Sequence, residues 1–263
     1  MRTDNLPAGK LGPMQLVPGV TAINGWAFLL TMFFVGVLAP FINFAQPYIL
    51  TEHLGIPINE QGAVSGDLAF WSEVVMILLA GVMGAWSDTM GRRLVFAFGL
   101  AGVALSYVLY PLATSYEELL SYRLIYAVGM AAIGAMTIAI MSEYPVNQSR
   151  GKLSASVGVL STLGVMFVVA VLAPLPARFV VGEATAIEAG RYTYWLTAGI
   201  ALAGILIAWF GLSKLKTAQN TAISLMQRLR IGFTAGRNNP RIALSYGAAF
   251  VGRTDLVVVV IFL

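Results

Sequence analysis

Residues 84–93 of this chain read GAWSDTMGRR and join two long apolar segments, Gly62–Trp86 and Leu94–Thr114. A helix that crosses about 30 Å of hydrocarbon needs roughly 20 apolar residues at 1.5 Å each, and both segments reach that length. The two glycines of the short connection supply backbone freedom, and its two arginines supply positive charge. The stretch therefore predicts two membrane-spanning helices joined by a tight loop.

Working outward from this loop, five further apolar segments have the length of a membrane span. The seven predicted spans are Gly25–Leu50, Gly62–Trp86, Leu94–Thr114, Leu119–Ser142, Leu153–Pro174, Thr193–Leu212 and Ala243–Leu263. Nowhere does the sequence show the ten-residue alternation of apolar and polar residues that is typical of a membrane β-barrel. We therefore expect an all-α fold, a polytopic membrane helix bundle.

The composition of the 263 residues supports a membrane protein. Hydrophobic residues make up 58% of the chain and charged residues 11%, whereas about a quarter of a soluble protein is charged. This excludes an ordinary soluble domain and a disordered chain. The absence of cysteine excludes a disulfide-stabilised secreted module.

The basic residues predict the orientation of the bundle. Twelve of the 16 Lys and Arg residues fall in the N-terminal tail or in the second, fourth and sixth connections. The opposite side carries only Arg178 and Arg191, among several glutamates. The positive-inside rule therefore places the N-terminus in the cytoplasm, in a multi-pass protein of the plasma (inner) membrane. Topology also explains the net charge of +4, so no nucleic-acid partner is expected.

Seven spans also suggest a seven-helix receptor or a retinal protein. Two features speak against both classes, namely the cytoplasmic N-terminus and the absence of a lysine in any predicted span. A non-transporting sensor or assembly subunit is kept as the alternative function.

The sequence lacks the motifs of enzymatic chemistry. There is no phosphate-binding loop of the G-x-x-x-x-G-K-[ST] type and no G-x-S-x-G nucleophile signature. The single histidine, His53, lies in a predicted outer loop, and no cysteine is present to complete a zinc site. We expect neither an enzyme nor a metal site nor a cofactor.

The loop between the second and third spans resembles the signature loop of the major facilitator superfamily. The residues that match the pattern of that family are Gly84, Asp88, Gly91, Arg92 and Arg93. A helix cap in a positively charged loop would explain the same spacing. Thr89 replaces the usual basic residue, a departure that affects the charge network.

The resemblance implies a secondary transporter that moves a small solute by alternating access. It assigns Asp88, Arg92 and Glu143, at the end of the fourth span, to a cytoplasmic gate. It also matches Arg123 to an arginine early in the fourth helix of the family, although Tyr126 replaces the usual glutamine. No proline follows Gly164 in the fifth span, which speaks against a drug/proton antiporter.

Five charged residues lie inside predicted spans, where an ionisable group is costly and therefore a functional candidate. They are Asp67, Glu73, Arg123, Arg253 and Asp255. From their depths we predict an outer pair of Asp67 and Arg123 and a midplane cluster of Glu73, Arg253 and Asp255. The outer pair has structural alternatives, a bridge or snorkelling to the interface. A midplane carboxylate is suited to carry a coupling proton, and Arg253 to hold an anionic group of the solute.

The first span adds polar candidates. Pro40 and Pro47 interrupt the helical hydrogen bonds near Asn43 and Gln46, so we expect exposed carbonyls and a solute contact there. The aromatic residues of this span, in contrast, are expected to face lipid. These are Trp26, Phe41 and Tyr48.

The predicted domains follow from the spans. Residues 1–24 form a cytoplasmic tail, 25–212 a six-helix bundle, 213–242 a cytoplasmic connection and 243–263 a seventh helix. Within the connection, 221–233 has the spacing of an amphipathic helix, with a flexible basic linker as the alternative. A full member of the resembled family has twelve helices, so we expect a fragment whose C-terminal half is missing. The expected partners are the lipid bilayer, a small solute and protons.

Overall fold

The computed structural model describes residues 8–214 and the isolated positions 234, 239–241 and 244. Six helical segments in this part of the chain are long and apolar enough to cross a membrane. The predicted six-span all-α bundle is thereby confirmed. The seventh span, except Leu244, and the amphipathic segment 221–233 lie outside the described residues.

The helices follow the predicted spans closely. Their bounds are α1 Ala22–Glu52, α2 Ile58–Met90, α3 Arg92–Leu109, α4 Tyr116–Glu143, α5 Arg150–Phe167, α6 Leu175–Val181 and α7 Ala186–Gly211. Short 3₁₀ turns at Tyr110–Leu112 and Asn147–Ser149 end α3 and precede α5. The last long helix, α7, begins ahead of the predicted start at Thr193 because a capping box fixes it. In that box the Thr185 hydroxyl accepts from the Glu188 amide, and the Glu188 carboxylate accepts from the Thr185 amide.

The fifth span is built from two helices and an irregular segment. A π-helical turn at Val168–Leu172 follows α5, and α6 begins after Pro174. The wider π-helical turn changes the direction in which side chains point along this span. The turn lies near the C-terminal half of α1 and the N-terminal half of α7.

The helices pack side by side in the order α2, α4, α3, α7, α1 and then α5. Two glycines let α3 and α4 approach each other closely. A β-carbon on Gly129 would lie 2.6 Å from the carbonyl oxygen of Gly99, and one on Gly99 would lie 2.7 Å from that of Gly129. Both glycines belong to small-residue runs, Gly99–Gly102 and Gly129–Gly134, and such runs favour close helix packing in membranes.

An N-terminal β-hairpin covers one end of the bundle. Strands β1 (Ala8–Leu11) and β2 (Met14–Pro18) pair antiparallel, within the segment that the sequence indicates only as a tail. The hairpin is tied to the α4–α5 connection, since the Val17 amide donates to the Tyr144 carbonyl at 2.9 Å and the Val146 amide to the Gln15 carbonyl at 3.1 Å. Leu11 of β1 and Leu16 of β2 are buried between the hairpin and the helices. We call this end of the bundle the hairpin end.

The other end of the bundle, here called the distal end, carries three connections. These are residues 53–57, 113–115 and 182–185. The start of α4 at this end is fixed by Ser115, whose hydroxyl accepts from the Glu118 amide at 3.3 Å.

Helix α1 remains continuous through Pro40 and Pro47. Two tyrosine hydroxyls from neighbouring helices donate to carbonyls beside Pro40: Tyr107 to Leu38, and Tyr126 to Ala39 at 2.6 Å. These two carbonyls are therefore covered by aromatic side chains from α3 and α4.

The close contact of α3 and α4 generates a stability prediction. Gly129→Ala would force the backbones apart, and overpacking of this kind costs about 1–3 kcal/mol. We expect a lower apparent Tm when unfolding is followed by tryptophan fluorescence in detergent. Gly134→Ala on the same helix is the matched control, because a β-carbon there meets nothing within 4 Å. Equal Tm values for the two variants would contradict the packing.

Candidate functional site

A buried arginine lies where α1, α2 and α4 meet. Arg123 stands seven residues after the start of α4, about 10 Å along the helix from the distal end, and is only 4% exposed. Burying a guanidinium at such a depth is costly unless all of its N–H groups find acceptors. Its surroundings are therefore informative.

Three neutral oxygens surround the guanidinium. Nη2 donates to Oδ1 of Asn43 at 2.6 Å, Nη1 donates to Oε1 of Gln46 at 3.2 Å, and Nε donates to Oγ of Ser72 at 3.1 Å. The ring of Tyr126 adds a cation–π contact at 5.4 Å. Three residues that the sequence proposed separately, Asn43, Gln46 and Arg123, thus form one cluster.

A second group of side chains holds Gln46 in place. Its Oε1 also accepts from the Tyr110 hydroxyl at 3.0 Å, and its Nε2 donates to the Ser65 hydroxyl at 2.8 Å. We call Asn43, Gln46, Ser72, Tyr110 and Arg123 the arginine cluster. Within the described residues, no carboxylate forms an ion pair with Arg123. Among the described residues, the positive charge of the cluster is thus solvated by neutral groups.

The predicted outer pair of Asp67 and Arg123 is wrong. Asp67 is exposed and accepts a hydrogen bond from the Tyr116 hydroxyl instead. The reason is helical rotation. Arg123 meets α2 at Ser72, five residues beyond Asp67, and five residues turn a helix by roughly 140° beyond a full circle. Asp67 and Ser72 therefore project from α2 in different directions, and only Ser72 meets Arg123.

The predicted midplane cluster falls only partly within the described chain. Glu73 is half-buried on α2, next to Ser72 of the arginine cluster. Its two predicted partners, Arg253 and Asp255, lie outside the described residues.

At the hairpin end, Arg92 connects the ends of three helices. Its Nη1 lies 2.7 Å from Oδ1 of Asp88, and its Nη2 and Nε lie 2.6 and 3.2 Å from the two carboxylate oxygens of Glu143. The contact with Glu143 is bidentate and charge-assisted, the strongest geometry for such a pair. The three residues that the resemblance assigned to a gate therefore lie together.

The loop backbone places Arg92 for these contacts. Gly91 has φ +96°, a conformation that glycine adopts without strain, and it turns the chain from α2 into α3. Nη1 of Arg92 also donates to the Gly84 carbonyl at 3.4 Å and to the Ser87 hydroxyl. Arg93 points elsewhere, over the ring of Trp209 on α7 at 4.6 Å. Arg93, which also matches the signature pattern, is therefore directed away from the network of Asp88, Arg92 and Glu143.

The sequence patterns did not identify several residues of these sites. Three of them lie in apolar spans, namely Ser65, Ser72 and Tyr110. The only indication of their role in the sequence is a hydroxyl group at a position where an aliphatic side chain would pack better. Phe41 was expected to face lipid, but it is buried against Tyr107 and Tyr194 with ring centroids 5.3 and 5.0 Å away. Periodicity did not separate the buried and lipid-facing sides of α1, because both are apolar.

His53 occupies the distal end. Its Nδ1 donates to the Pro111 carbonyl at 3.0 Å, and its Nε2 is buried without a hydrogen bond from any described residue. Burial, reinforced by the positive charge of Arg191, lowers the pKa of His53 against the opposing effects of the Pro111 hydrogen bond and Glu52. The described residues contain no group of three or more potential metal ligands.

The family model of the Major Facilitator Superfamily matches residues 22–263. The chain belongs to this superfamily. Asp88 and Arg92 therefore lie in the signature loop of a superfamily member, and Glu143 joins them from the end of α4.

Curated relatives with different names resemble the chain. The magnetosome protein MamH of Paramagnetospirillum magneticum is 27% identical over 83% of this chain and 50% of its own length. A triacylglyceride transporter of Mycobacteroides abscessus is 26% identical over 66% and 34%. The class D tetracycline resistance protein of Salmonella ordonez is 29% identical over 47% and 31%. The chain spans half or less of the length of these relatives.

His53 generates a prediction for this superfamily member. Because its pKa is lowered on folding, the unfolded chain takes up the proton first as the pH falls below about 6.5. Stability that is present above this pH is therefore lost as the pH falls further. We expect the apparent Tm to fall more steeply between pH 7.5 and 5 in the wild type than in His53→Asn, which keeps an N–H donor.

The comparison of the two proteins removes the contribution of titrating carboxylates, and the chain contains no second histidine. Parallel pH profiles would show that His53 titrates alike in the folded and unfolded states.

Proposed function

We propose that this chain belongs to a secondary transporter that moves a small solute by alternating access and couples the movement to protons. The observation that carries the proposal is an ionic network in a superfamily member, in which Asp88 and Arg92 of the signature loop meet Glu143 at the end of α4. Transporters named among the relatives support the same class. We assign no enzymatic activity and no cofactor to the chain.

The network is suited to act as a gate. It joins the last turn of α2, the first turn of α3 and the last turn of α4, so any relative movement of these helix ends must break it. Its carboxylates are partly exposed, with side-chain exposures of 17% for Asp88 and 27% for Glu143. Water can therefore solvate the separated charges, which keeps the cost of opening moderate.

The arginine cluster is suited to hold the solute. Its guanidinium is buried and solvated only by neutral oxygens of the described residues, so an anionic group would supply the missing negative charge. Asn43 and Gln46 would contact the same group. The cluster lies between three helices, which is the arrangement that transporters use for binding.

Glu73 is the proposed proton carrier in the described part of the chain. It is half-buried in the middle of α2, one residue from Ser72 of the arginine cluster. Protonation there would change the charge next to the bound solute, which links proton and solute movement. Arg253 and Asp255 remain predicted members of this coupling group.

Further helices are proposed to complete the solute pathway. Helix α2 and the fifth span stand at the two ends of the packing order. In each of them, 22% of the residues in an apolar 18-residue stretch are buried within the bundle, against 61% in α3. These two spans therefore have the largest free surface. The greater length of the relatives supports the same view.

Transport generates the main prediction. In liposomes containing the full-length protein and a pH-sensitive dye, an anionic small solute should drive proton movement and a neutral analogue should not. Glu73→Gln and Glu143→Gln should each slow this proton movement about tenfold, which corresponds to ~1.4 kcal/mol. Glu117→Gln, at the exposed start of α4, is the matched control and should retain the rate.

Full proton coupling in Glu73→Gln and Asp255→Asn would disprove the proton role. A correctly folded protein that moves no solute of the panel would instead favour a sensor or an assembly subunit.

The proposed orientation places the hairpin end in the cytoplasm and the protein in the plasma (inner) membrane. The reason is the concentration of basic residues in the connections at that end. Because the chain contains no cysteine, each introduced thiol can be labelled alone. In intact cells an impermeant maleimide should label Glu60→Cys at the distal end, and should label Gln148→Cys only after permeabilisation. The reverse pattern would invert the topology.

A further inference from the structure

A cavity of about 550 Å³ lies between α1, α7 and the irregular fifth span, outside the arginine cluster and the gate. Its volume is in the range of ligand-binding pockets, which is about 300–1,000 Å³. The π-helical turn at Val168–Leu172 and the following α6 form one wall. The other walls come from α1, between Phe41 and Glu52, and from the distal half of α7.

The lining is apolar except for three side chains, and two of these have no donor to spare. The hydroxyl of Tyr48 donates to the Ala186 carbonyl at 2.8 Å, and that of Thr193 donates to the Ala189 carbonyl at 2.8 Å. The third, Glu52, forms no hydrogen bond or ion pair with another described residue. A ligand would therefore meet an apolar channel that ends in one carboxylate.

The cavity has the depth of one lipid leaflet. From Phe41 to Glu52, α1 rises about 16 Å at 1.5 Å per residue, close to half of a hydrocarbon core of about 30 Å. Two lining side chains, Phe44 and Val180, are 42% and 45% exposed, so the cavity opens where large apolar groups reach the surface of the bundle. In a bilayer this surface meets acyl chains.

Charges of both signs stand near the distal end of the cavity. The ring of His53, the residue after Glu52, lies against Gly190, the residue before Arg191, and both charges act electrostatically on it. The Nε of Arg191 is buried and has no hydrogen bond to a described residue. A carboxylate and an arginine at the same end of the bundle complement a headgroup that carries an ammonium and a phosphate.

We propose that this cavity binds one acyl chain of a phosphatidylethanolamine molecule of the distal leaflet, whose ammonium group pairs with Glu52. The chain fills the apolar channel along α1, and the primary ammonium donates hydrogen bonds to the carboxylate. The site is independent of solute transport and requires no gate movement.

Native mass spectrometry of the protein released from nanodiscs tests the site. The nanodiscs contain equal amounts of phosphatidylethanolamine and phosphatidylglycerol with identical acyl chains. The wild type should retain phosphatidylethanolamine about tenfold over phosphatidylglycerol, a difference of ~1.4 kcal/mol. Glu52→Gln should abolish this preference, and Ala45→Phe, which fills the channel, should reduce retention of both lipids.

Two substitutions at exposed positions on α2, Glu60→Gln and Ala80→Phe, are the matched controls and should behave like the wild type. Equal retention of the two lipids by the wild type, or a preference that persists in Glu52→Gln, would overturn the proposal. If Ala45→Phe does not fold, Glu52→Gln decides alone, because its exposed side chain at a helix end tolerates the change.

Discussion

Inside hydrocarbon a polar group must find its partner within the protein, because no water is available, and the rest of this bundle depends on that requirement. The backbone meets it by forming helices, and side chains meet it between helices. Arg123 is bonded to both α1 and α2, and Tyr107 and Tyr126 donate to carbonyls of α1. Lipid is as apolar as leucine, so these polar contacts decide how the helices are rotated against each other.

The two arginine centres of the bundle differ in a way that suits different tasks. Arg92 pairs with two partly exposed carboxylates at a helix end, where water can replace either partner. Arg123 is buried among neutral oxygens, where loss of a single partner would leave a charge poorly solvated. In the proposed mechanism, the first arrangement opens and closes at moderate cost. The second stays in place and attracts the negative charge of the solute.

Much of the fold could be predicted because hydrophobic length is a direct measure of a membrane span. The resemblance of the signature loop likewise predicted that Asp88, Arg92 and Glu143 lie together. Two features escaped prediction. The hairpin at residues 8–18 is stabilised by the α4–α5 connection, more than a hundred residues away, and so leaves only a weak local signal. The pairing of Asp67 with Arg123 failed because depth along a helix contains no information about rotation.

The sequence by itself determined the number of described spans, their approximate ends, the membership in the superfamily and the residues of the signature loop. Each of these depends on length, charge or a local motif. Only the tertiary structure decided which polar groups meet, that Phe41 is buried, and that a cavity remains beside the π-helical turn. The physical reason is that a span apolar on all sides does not encode its own rotation. That rotation is set by the few hydrogen bonds the helices make with one another.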